Sequence, residues 1–313
     1  MKKNVILFLC LILLINFTGC NLVDKDADKK RIKEEVMTNN TGQVAVKVTN
    51  YPLYFFTSKI AGNKLAVDNL LPPGAEPHGW EPSPRDLVGL ENASLLIYNG
   101  AGFEDWIVDI THSLNNKELV IVDASTGVDL IKDDEDDHSH SDPHIWLDPK
   151  NSQKMVANIL DALVEISPEN KDYFNENAQV LIEQLDSLDQ DYQKELANSP
   201  NKVFVVNHAA FGYLAKRYGL EQIAVMGINP HTEPTPQRIA QLVKLTKEHN
   251  LKYIFTETLV SSKVSETIAR EVGINTMVLN PLGNLTVKDS EAGKDYFSIM
   301  YENLAALKEG LNN

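Results

Sequence analysis

The sequence predicts an α/β protein with two α/β domains, each with a mainly parallel sheet flanked by helices, joined by one long rigid helix. Short apolar runs alternate with helix-like segments in both halves of the chain, which is the pattern of a parallel sheet covered by helices. The longest periodic stretch of the sequence separates the two halves. About 270 residues follow the N-terminal segment, and this length exceeds one typical domain core. Two sheets are therefore expected rather than one.

The first segment of the chain has the features of a secretory signal. Lys2 and Lys3 precede an apolar run over residues 5–17, which has the length of a signal-peptide core and is too short to span a bilayer comfortably. We predict a signal peptide over residues 1–19, and an uncleaved signal anchor is the alternative. In either case the body of the protein is expected outside the cytoplasm, at the outer face of the cytoplasmic membrane.

The residues that end this segment, Phe17-Thr18-Gly19-Cys20, resemble a bacterial lipobox in which Phe17 replaces the usual leucine. In that motif the cysteine becomes the lipidated first residue of the mature protein, so Cys20 is the predicted lipidation site. Residues 20–43 are polar and rich in charge, which predicts a lipid-anchored tether. A Gram-positive surface and a periplasm both remain open.

The body of the chain is predicted to divide into three parts. An N-terminal α/β lobe covers residues 44–166, a linking helix covers 167–199, and a C-terminal α/β lobe covers 200–313. A strand-like run covers residues 65–71. The other predicted strands cover residues 44–49, 95–98, 119–122, 203–206, 223–226, 253–256 and 276–279.

The linking helix has a predicted start and a predicted buried face. Ser167 is expected to cap it, and Pro168 suits its first helical position. Apolar residues then recur at steps of three and four, so one side of the helix is expected to pack on both lobes. These residues are Phe174, Ala178, Leu181, Leu185, Leu188 and Tyr192.

Charge and cysteine content narrow the possible functions. The formal net charge is −15, and a surface this acidic disfavours nucleic acid and favours cationic partners. Both cysteines, Cys10 and Cys20, lie in the N-terminal segment. The mature body therefore has no disulfide and no thiolate for a metal, so a metal site must use histidine and carboxylate ligands.

Three histidines occupy loops at comparable positions in the predicted fold. His78 lies in "EPHGWEPSP", where the prolines restrict the backbone, and His144 lies in "DPHIWLDP" beside a short apolar anchor. His208 projects from the carboxyl end of the strand at residues 203–206, the end at which open α/β sheets bind ligands. Together these histidines predict a metal ion bound in a cleft between the lobes.

Zinc suits this ligand set best. Imidazole favours Zn²⁺, Cu²⁺ and Ni²⁺, whereas Mn²⁺ recruits more carboxylate oxygens. Three histidines leave one position of a tetrahedron for water or a further side chain.

The remaining histidines receive separate interpretations. His112 is interpreted as a surface or half-buried structural residue of a helix, and His249 as a cation at the end of a helix. His231, in the proline-held loop "NPHTEPTPQ", is left open as a neighbour of the site.

A second histidine-bearing segment precedes His144. The run "DDEDDHSHSDPH" is acidic and free of apolar residues, so it predicts a mobile loop. A loop that only increases solubility is one interpretation. The favoured interpretation is a weak secondary metal loop whose ligands are Asp136, Asp137, His138 and His140.

Five segments together resemble a known family. They are "PHGWEPSP", "DPHIWLDP", "NHAAFGYLAKRYGL", "NPHTEPTPQ" and "IFTETLVSSKVSETIAREVG", in this order. They resemble the zinc-type, ZnuA-like metal-binding receptors of bacterial ABC importers from about residue 44 to the C-terminus. The resemblance implies two α/β domains joined by a long helix, with the metal in the cleft. It also implies delivery of the metal to a membrane permease that is powered by a cytoplasmic ATPase.

The resemblance also implies which residues of this chain bind the metal. The metal-binding histidines of the family fall on His78, His144 and His208. Manganese-type members generally have glutamate where this chain has His208, which favours zinc. The chain departs from the family around "VLNPLG", where many relatives place an acidic fourth ligand and this chain has Asn280 and Gly283. The fourth ligand is expected to be water, and the alternative ligands or supporting groups are Asn280, Glu81, Glu233 and Glu257.

Other functions compete with a zinc receptor. A receptor for manganese or another transition metal, and a metal-dependent surface adhesin, are the nearest alternatives. A secreted zinc hydrolase is a further one, because three histidines and a water also form a catalytic zinc site. Glu81 would be its candidate base, but the sequence has neither H-E-x-x-H nor Gly-x-Ser-x-Gly. The favoured prediction is a monomeric receptor that is not an enzyme.

Overall fold

The computed structural model describes residues 44–132 and 141–312. The predicted signal peptide, the tether and the lipidation site Cys20 lie outside these residues. The proposed secondary metal loop, with Asp136, Asp137, His138 and His140, also lies outside them. None of the helices that the structure describes is both long enough and apolar enough to cross a membrane.

Eight strands in the described residues form two sheets, and every strand pair is parallel. The first sheet contains β1 (Ala45–Val48), β2 (Ala66–Asn69), β3 (Leu95–Tyr98) and β4 (Val120–Asp123). The second sheet contains β5 (Val203–His208), β6 (Glu221–Met226), β7 (Tyr253–Thr256) and β8 (Asn275–Val278).

Helices connect and cover the strands. Those of the first half are α1 (Tyr51–Ala61), α2 (Pro84–Glu91), α3 (Ile107–Ser113) and α4 (Pro149–Ile166). The long helix α5 (Lys171–Leu196) follows. Those of the second half are α6 (Gly212–Tyr218), α7 (Pro236–Glu248), α8 (Lys263–Val272), α9 (Val287–Glu291) and α10 (Tyr296–Asn312).

The two sheets share one topology. The strand order is β2-β1-β3-β4 in the first and β6-β5-β7-β8 in the second. In each sheet, strands are added first on one side of the first strand and then on its other side. This switch between the two central strands places a crevice at their carboxyl ends. The predicted fold class of two parallel α/β sheets joined by a long helix is confirmed.

Two strands of the second sheet, β5 and β6, extend slightly beyond the predicted apolar runs. β5 continues through the polar residues Asn207 and His208, and His208 still pairs with Met226 of β6. The predicted run ended at residue 206 because the next two residues are polar, although both are buried and belong to the strand. His208 is therefore held by a strand, more firmly than the predicted loop position implied.

The linking helix has the predicted buried face but a different start. A 3-10 turn, Pro168–Asn170, comes before α5, and the Ser167 hydroxyl donates to the Glu169 carboxylate instead of capping the backbone. α5 packs on α1 and α4 of the first half and on α6 and α10 of the second, so a single apolar cluster runs through both halves. The fully or almost fully buried residues of this face are Phe174, Ala178, Leu181, Leu185, Leu188 and Tyr192.

Candidate metal centre

The ring of His208 stands at the crevice of the second sheet. His208 is the last residue of β5, and Glu257 directly follows β7, the strand next to β5. The Glu257 Oε1 atom accepts hydrogen bonds from the backbone nitrogen of His208 at 3.0 Å and lies 2.6 Å from its Nδ1 atom. Both side chains are buried. The carboxylate thus holds the ring by one nitrogen and leaves Nε2 directed away from it.

His144 is held in the same way by a residue of its own loop. Asp142 Oδ1 accepts from the His144 backbone nitrogen at 2.9 Å and lies 2.8 Å from His144 Nδ1. The next three residues form a buried 3-10 turn, Ile145–Leu147. Within it, Trp146 donates from Nε1 to the backbone oxygen of Pro281 at 2.8 Å. The predicted apolar anchor therefore ties the His144 loop to the second half of the chain.

His78 lies in the segment between β2 and α2, residues 70–83, called here the His78 loop. Glu76 Oε1 lies 2.7 Å from His78 Nδ1, so a third carboxylate holds a third ring. Asn284 Nδ2 donates to the backbone oxygens of Pro72 at 2.8 Å and Ala75 at 2.9 Å. The loop is thus held by the second half of the chain as well as by its own.

The three rings converge on one point. The ligand atoms of His78, His144 and His208 all lie within 4.8 Å of one another. The Nε2 atoms of His144 and His208 are 3.3 Å apart, and His78 Nε2 is buried without a hydrogen-bond partner. The cavity that these rings line has a volume of about 20 Å³, close to the minimum for a single water molecule. Because each Nδ1 atom faces a carboxylate, each Nε2 atom is free to present a lone pair to this cavity.

Burial favours the neutral form of two of these rings. It lowers the pKa of His144 well below the ordinary value, and the neighbouring rings of His208 and His78 act in the same direction. Burial also lowers the pKa of His78, although the hydrogen bond to Glu76 opposes this shift. Although burial raises the pKa of Glu76, its hydrogen bond with His78 leaves that pKa below the ordinary value. Neutral imidazole is the form that binds a metal.

The predicted fourth ligands lie in different surroundings. Asn280 lines the cavity, but its Oδ1 already accepts from the backbone nitrogen of Leu282 at 2.8 Å. Glu81 and Glu233 are exposed. Glu257 faces the Nδ1 side of His208, and its Oε2 atom is buried without a hydrogen-bond partner. Within residues 44–132 and 141–312, no fourth histidine, cysteine or carboxylate offers a ligand atom to this group.

Gly283, the other residue at which the chain departs from the resembled pattern, has a packing role. An added Cβ atom there would lie 2.9 Å from Pro77 Cγ of the His78 loop. The Gly283 backbone oxygen also accepts from the Tyr51 nitrogen at 3.2 Å. Glycine therefore permits the close approach of the His78 loop, and a larger side chain would displace it.

Two of the three carboxylates that hold the rings were missed by sequence reasoning. Glu76 and Asp142 each stand two residues before a histidine, in Glu-Pro-His and Asp-Pro-His. This shared acidic-Pro-His pattern is the signal that would have found them. Glu257 was predicted only as one of several candidates.

His231, which the sequence left open, lies beside the site. Its Nε2 atom is 3.0 Å from Glu76 Oε2 and 3.3 Å from the backbone oxygen of His78. The other two histidines of residues 44–132 and 141–312 lie at the ends of helices, which fits the positions expected for them. His112 is exposed in the last turn of α3, and His249 is exposed at the C-terminus of α7.

A polar network supports the site from the first sheet. Glu104 is buried and accepts from Thr49 Oγ1 at 2.5 Å and from the backbone nitrogens of Asn99 and Gly100. Burial raises the pKa of Glu104 to about 7, against the effect of these donors. Asn99 Nδ2 in turn donates at 3.0 Å to the backbone oxygen of Pro143, the residue before His144. The carboxyl ends of β1 and β3 are thereby joined to the His144 loop.

Comparison with known families places this chain among relatives. Residues 46–310 match the family described as ZnuA, zinc-uptake complex component A, periplasmic. The chain belongs to the ZnuA family. The resemblance to zinc-type receptors expected from the sequence is confirmed. The high-affinity zinc uptake system protein ZnuA of Bacillus subtilis (strain 168) is 39% identical over 310 residues, which cover 96% of this chain and 94% of that protein.

Solved structures of similar proteins have the same fold as this chain. The Zn(II)-bound ZnuA-like domain of Streptococcus pneumoniae AdcA has a TM-score of 0.77 and 36% identity, covering 87% of this chain and 100% of that one. The laminin-binding protein Lmb of Streptococcus agalactiae, described as bifunctional with adhesin and metal transporting activity, has a TM-score of 0.77 and 30% identity. That match covers 86% of this chain and 99% of the Lmb chain. Some curated relatives are longer, and this chain spans 56% of their length.

Proposed function

We propose that this chain is an extracytoplasmic receptor that binds Zn²⁺ through His78, His144 and His208 and delivers it to an ABC permease with a cytoplasmic ATPase. One observation carries the proposal: three Nε2 atoms from separate segments converge, and each ring is held through Nδ1 by its own carboxylate. A carboxylate on the far nitrogen orients a metal-binding histidine and raises its basicity. Membership of a zinc-uptake family supports the transport role.

The donor set favours zinc over manganese. Three imidazole ligands suit Zn²⁺, whereas Mn²⁺ prefers carboxylate oxygens. The three nearby carboxylates are hydrogen-bonded to Nδ1 atoms. We infer that water completes the tetrahedron. The Asn280 amide oxygen is engaged by Leu282, Glu81 and Glu233 are exposed, and Glu257, although it lines the cavity, does not belong to the group of converging ligand atoms.

The anchoring of the receptor is part of the same proposal. Lipid on Cys20 would hold the protein at the outer face of the cytoplasmic membrane, and residues 20–43 would let the receptor reach its permease. We propose that it works as a monomer, and the net charge of −15 argues against nucleic acid as a partner.

Hydrolysis is disfavoured by the shape and polarity of the site. A cavity of about 20 Å³ accepts no organic substrate, whereas substrate pockets usually measure about 300–1,000 Å³. Each of the three carboxylates in contact with the rings has one oxygen against a histidine Nδ1 atom, where it orients the ring. We therefore propose a binding protein rather than an enzyme.

Adhesion is a second candidate function. The similarity to Lmb, described as both adhesin and metal transporter, favours it. Binding to immobilised laminin, measured with and without Zn²⁺, separates this function from metal capture.

A competitive metal titration tests the receptor proposal. The purified protein is expected to bind one Zn²⁺ ion per chain, and Zn²⁺ is expected to displace Mn²⁺ at equal concentration, because the ligands are imidazoles. Isothermal calorimetry with each ion alone and in competition provides the measurement. A protein that prefers Mn²⁺, or one that binds no Zn²⁺, would contradict the proposal.

The carboxylate behind His208 is expected to control affinity from outside the coordination sphere. Glu257→Gln should weaken zinc binding by about 10- to 100-fold, because a neutral amide holds His208 less firmly and lowers its basicity. Glu233→Gln is the matched control, since Glu233 is exposed and should not change affinity. Equal affinities of the two variants would show that Glu257 does not support the site.

A further inference from the structure

The zinc site is closed in this structure. The side chains of His144 and His208 are each 1% exposed, and that of His78 is 12% exposed. The cavity between them is about 20 Å³. An ion therefore enters or leaves only when one of the three histidine-bearing segments moves.

The three segments differ in how they are held. His208 belongs to the β5 ladder, and His144 precedes a 3-10 turn whose three residues are fully buried. The His78 loop, residues 70–83, contains no helix or strand. Several of the contacts that hold it come from the second half of the chain, so it is the segment best placed to move.

Those contacts hold the His78 loop at two ends. Asn284 binds its first part through the backbone oxygens of Pro72 and Ala75, and Gly74 donates to the Leu285 backbone oxygen at 2.8 Å. At the outer end, His231 Nε2 reaches Glu76 Oε2 at 3.0 Å and the His78 backbone oxygen at 3.3 Å.

His231 is held in place to make the outer contact. It lies in the segment between β6 and α7, residues 227–235. Its backbone nitrogen donates to Asn229 Oδ1 at 2.9 Å, and Thr235 at the end of the segment caps α7. Its side chain is 58% exposed, so water can replace its contacts with the His78 loop.

Glu76 connects the outer contact to the metal centre. One of its oxygens lies 2.7 Å from His78 Nδ1, and the other lies 3.0 Å from His231 Nε2. We propose that His231 is a latch: a positioning residue from the second half of the chain that holds Glu76 and the His78 loop closed and so slows the release of zinc. The proposal rests on the receptor function proposed above.

If His231 is a latch, its removal should change the rate of Zn²⁺ release and leave the metal-coordinating residues unchanged. His231→Ala is expected to release Zn²⁺ about three- to tenfold faster, the range that corresponds to the loss of one hydrogen-bond donor. His231→Gln keeps a side-chain donor and is expected to restore slow release in part. Stopped-flow mixing of the zinc-loaded protein with an excess of a chromogenic chelator measures the rate. His249→Ala is the matched control, because His249 is also exposed and makes no contact with the His78 loop.

A second measurement separates a latch from a ligand. The absorption spectrum of the Co²⁺-loaded protein reports the coordination sphere and should be identical for wild type and His231→Ala. Equal release rates for wild type, His231→Ala and His249→Ala would overturn the latch, and so would an altered Co²⁺ spectrum. A wild-type protein that binds no Zn²⁺ would instead refute the receptor function itself.

Discussion

Replacing His208 with alanine is expected to lower zinc affinity by roughly two orders of magnitude or more. Structural zinc sites supply about 10–16 kcal/mol, so one of four ligands accounts for about 3 kcal/mol, and each 1.4 kcal/mol is about tenfold in affinity. The change also leaves the buried carboxylate of Glu257 without the Nδ1 group that it faces at 2.6 Å. Competition against a zinc chelator of known affinity measures the effect.

Two controls accompany this variant. His249→Ala removes an exposed histidine away from the site and should bind zinc as the wild type does. Chemical denaturation of the metal-free proteins shows whether His208→Ala still folds. If a folded His208→Ala protein keeps wild-type affinity, the proposed ligand set is wrong.

Replacing Trp146 with alanine is expected to have the largest effect on stability. Its side chain is fully buried, and its ring packs on Phe103 and His144 at centroid distances of 5.5 and 5.3 Å. Its Nε1 atom also donates to the Pro281 backbone oxygen across the two halves of the chain. Truncation of a buried aromatic side chain costs about 3–5 kcal/mol, and the lost hydrogen bond adds about 1 kcal/mol. Urea denaturation of the metal-free protein measures the change.

Trp146→Phe is the matched variant for this prediction. It keeps an aromatic ring and loses the hydrogen bond, so it should be less damaging than alanine. Trp146→Ala is also expected to weaken zinc binding, because the 3-10 turn that follows His144 loses its anchor. An alanine variant as stable as the phenylalanine variant would show that the ring does not carry the packing assigned to it.

Much of the fold was predictable because its signals are local. Strands of a parallel sheet are buried on both faces and read as short apolar runs, and β3 and β7 coincide with the predicted runs at residues 95–98 and 253–256. The buried face of α5 follows directly from steps of three and four residues. The start of α5 was harder to predict, because the 3-10 turn at Pro168–Asn170 depends on the hydrogen bonds that Ser167 makes in the folded chain.

The three histidines that converge were predictable from the sequence, but most of the carboxylates that hold them were not. His78, His144 and His208 stood out because prolines or a strand end restrict each of them locally. Glu76 and Asp142 carried a signal in the shared acidic-Pro-His pattern, although that pattern by itself does not say which ring atom a carboxylate will meet. Glu257 and His208 are 49 residues apart, and only the pairing of β5 with β7 brings them together.

The sequence by itself determined the two parallel sheets, the connecting helix and the three histidines that line the cleft. Each of these follows from the spacing of apolar residues or from proline and strand-end positions within a few residues. Only the tertiary structure decided that a carboxylate lies against Nδ1 of every ring and that His231, 153 residues from His78, contacts the backbone of the His78 loop. Such contacts depend on how distant segments pack, and no local pattern along the chain specifies that packing.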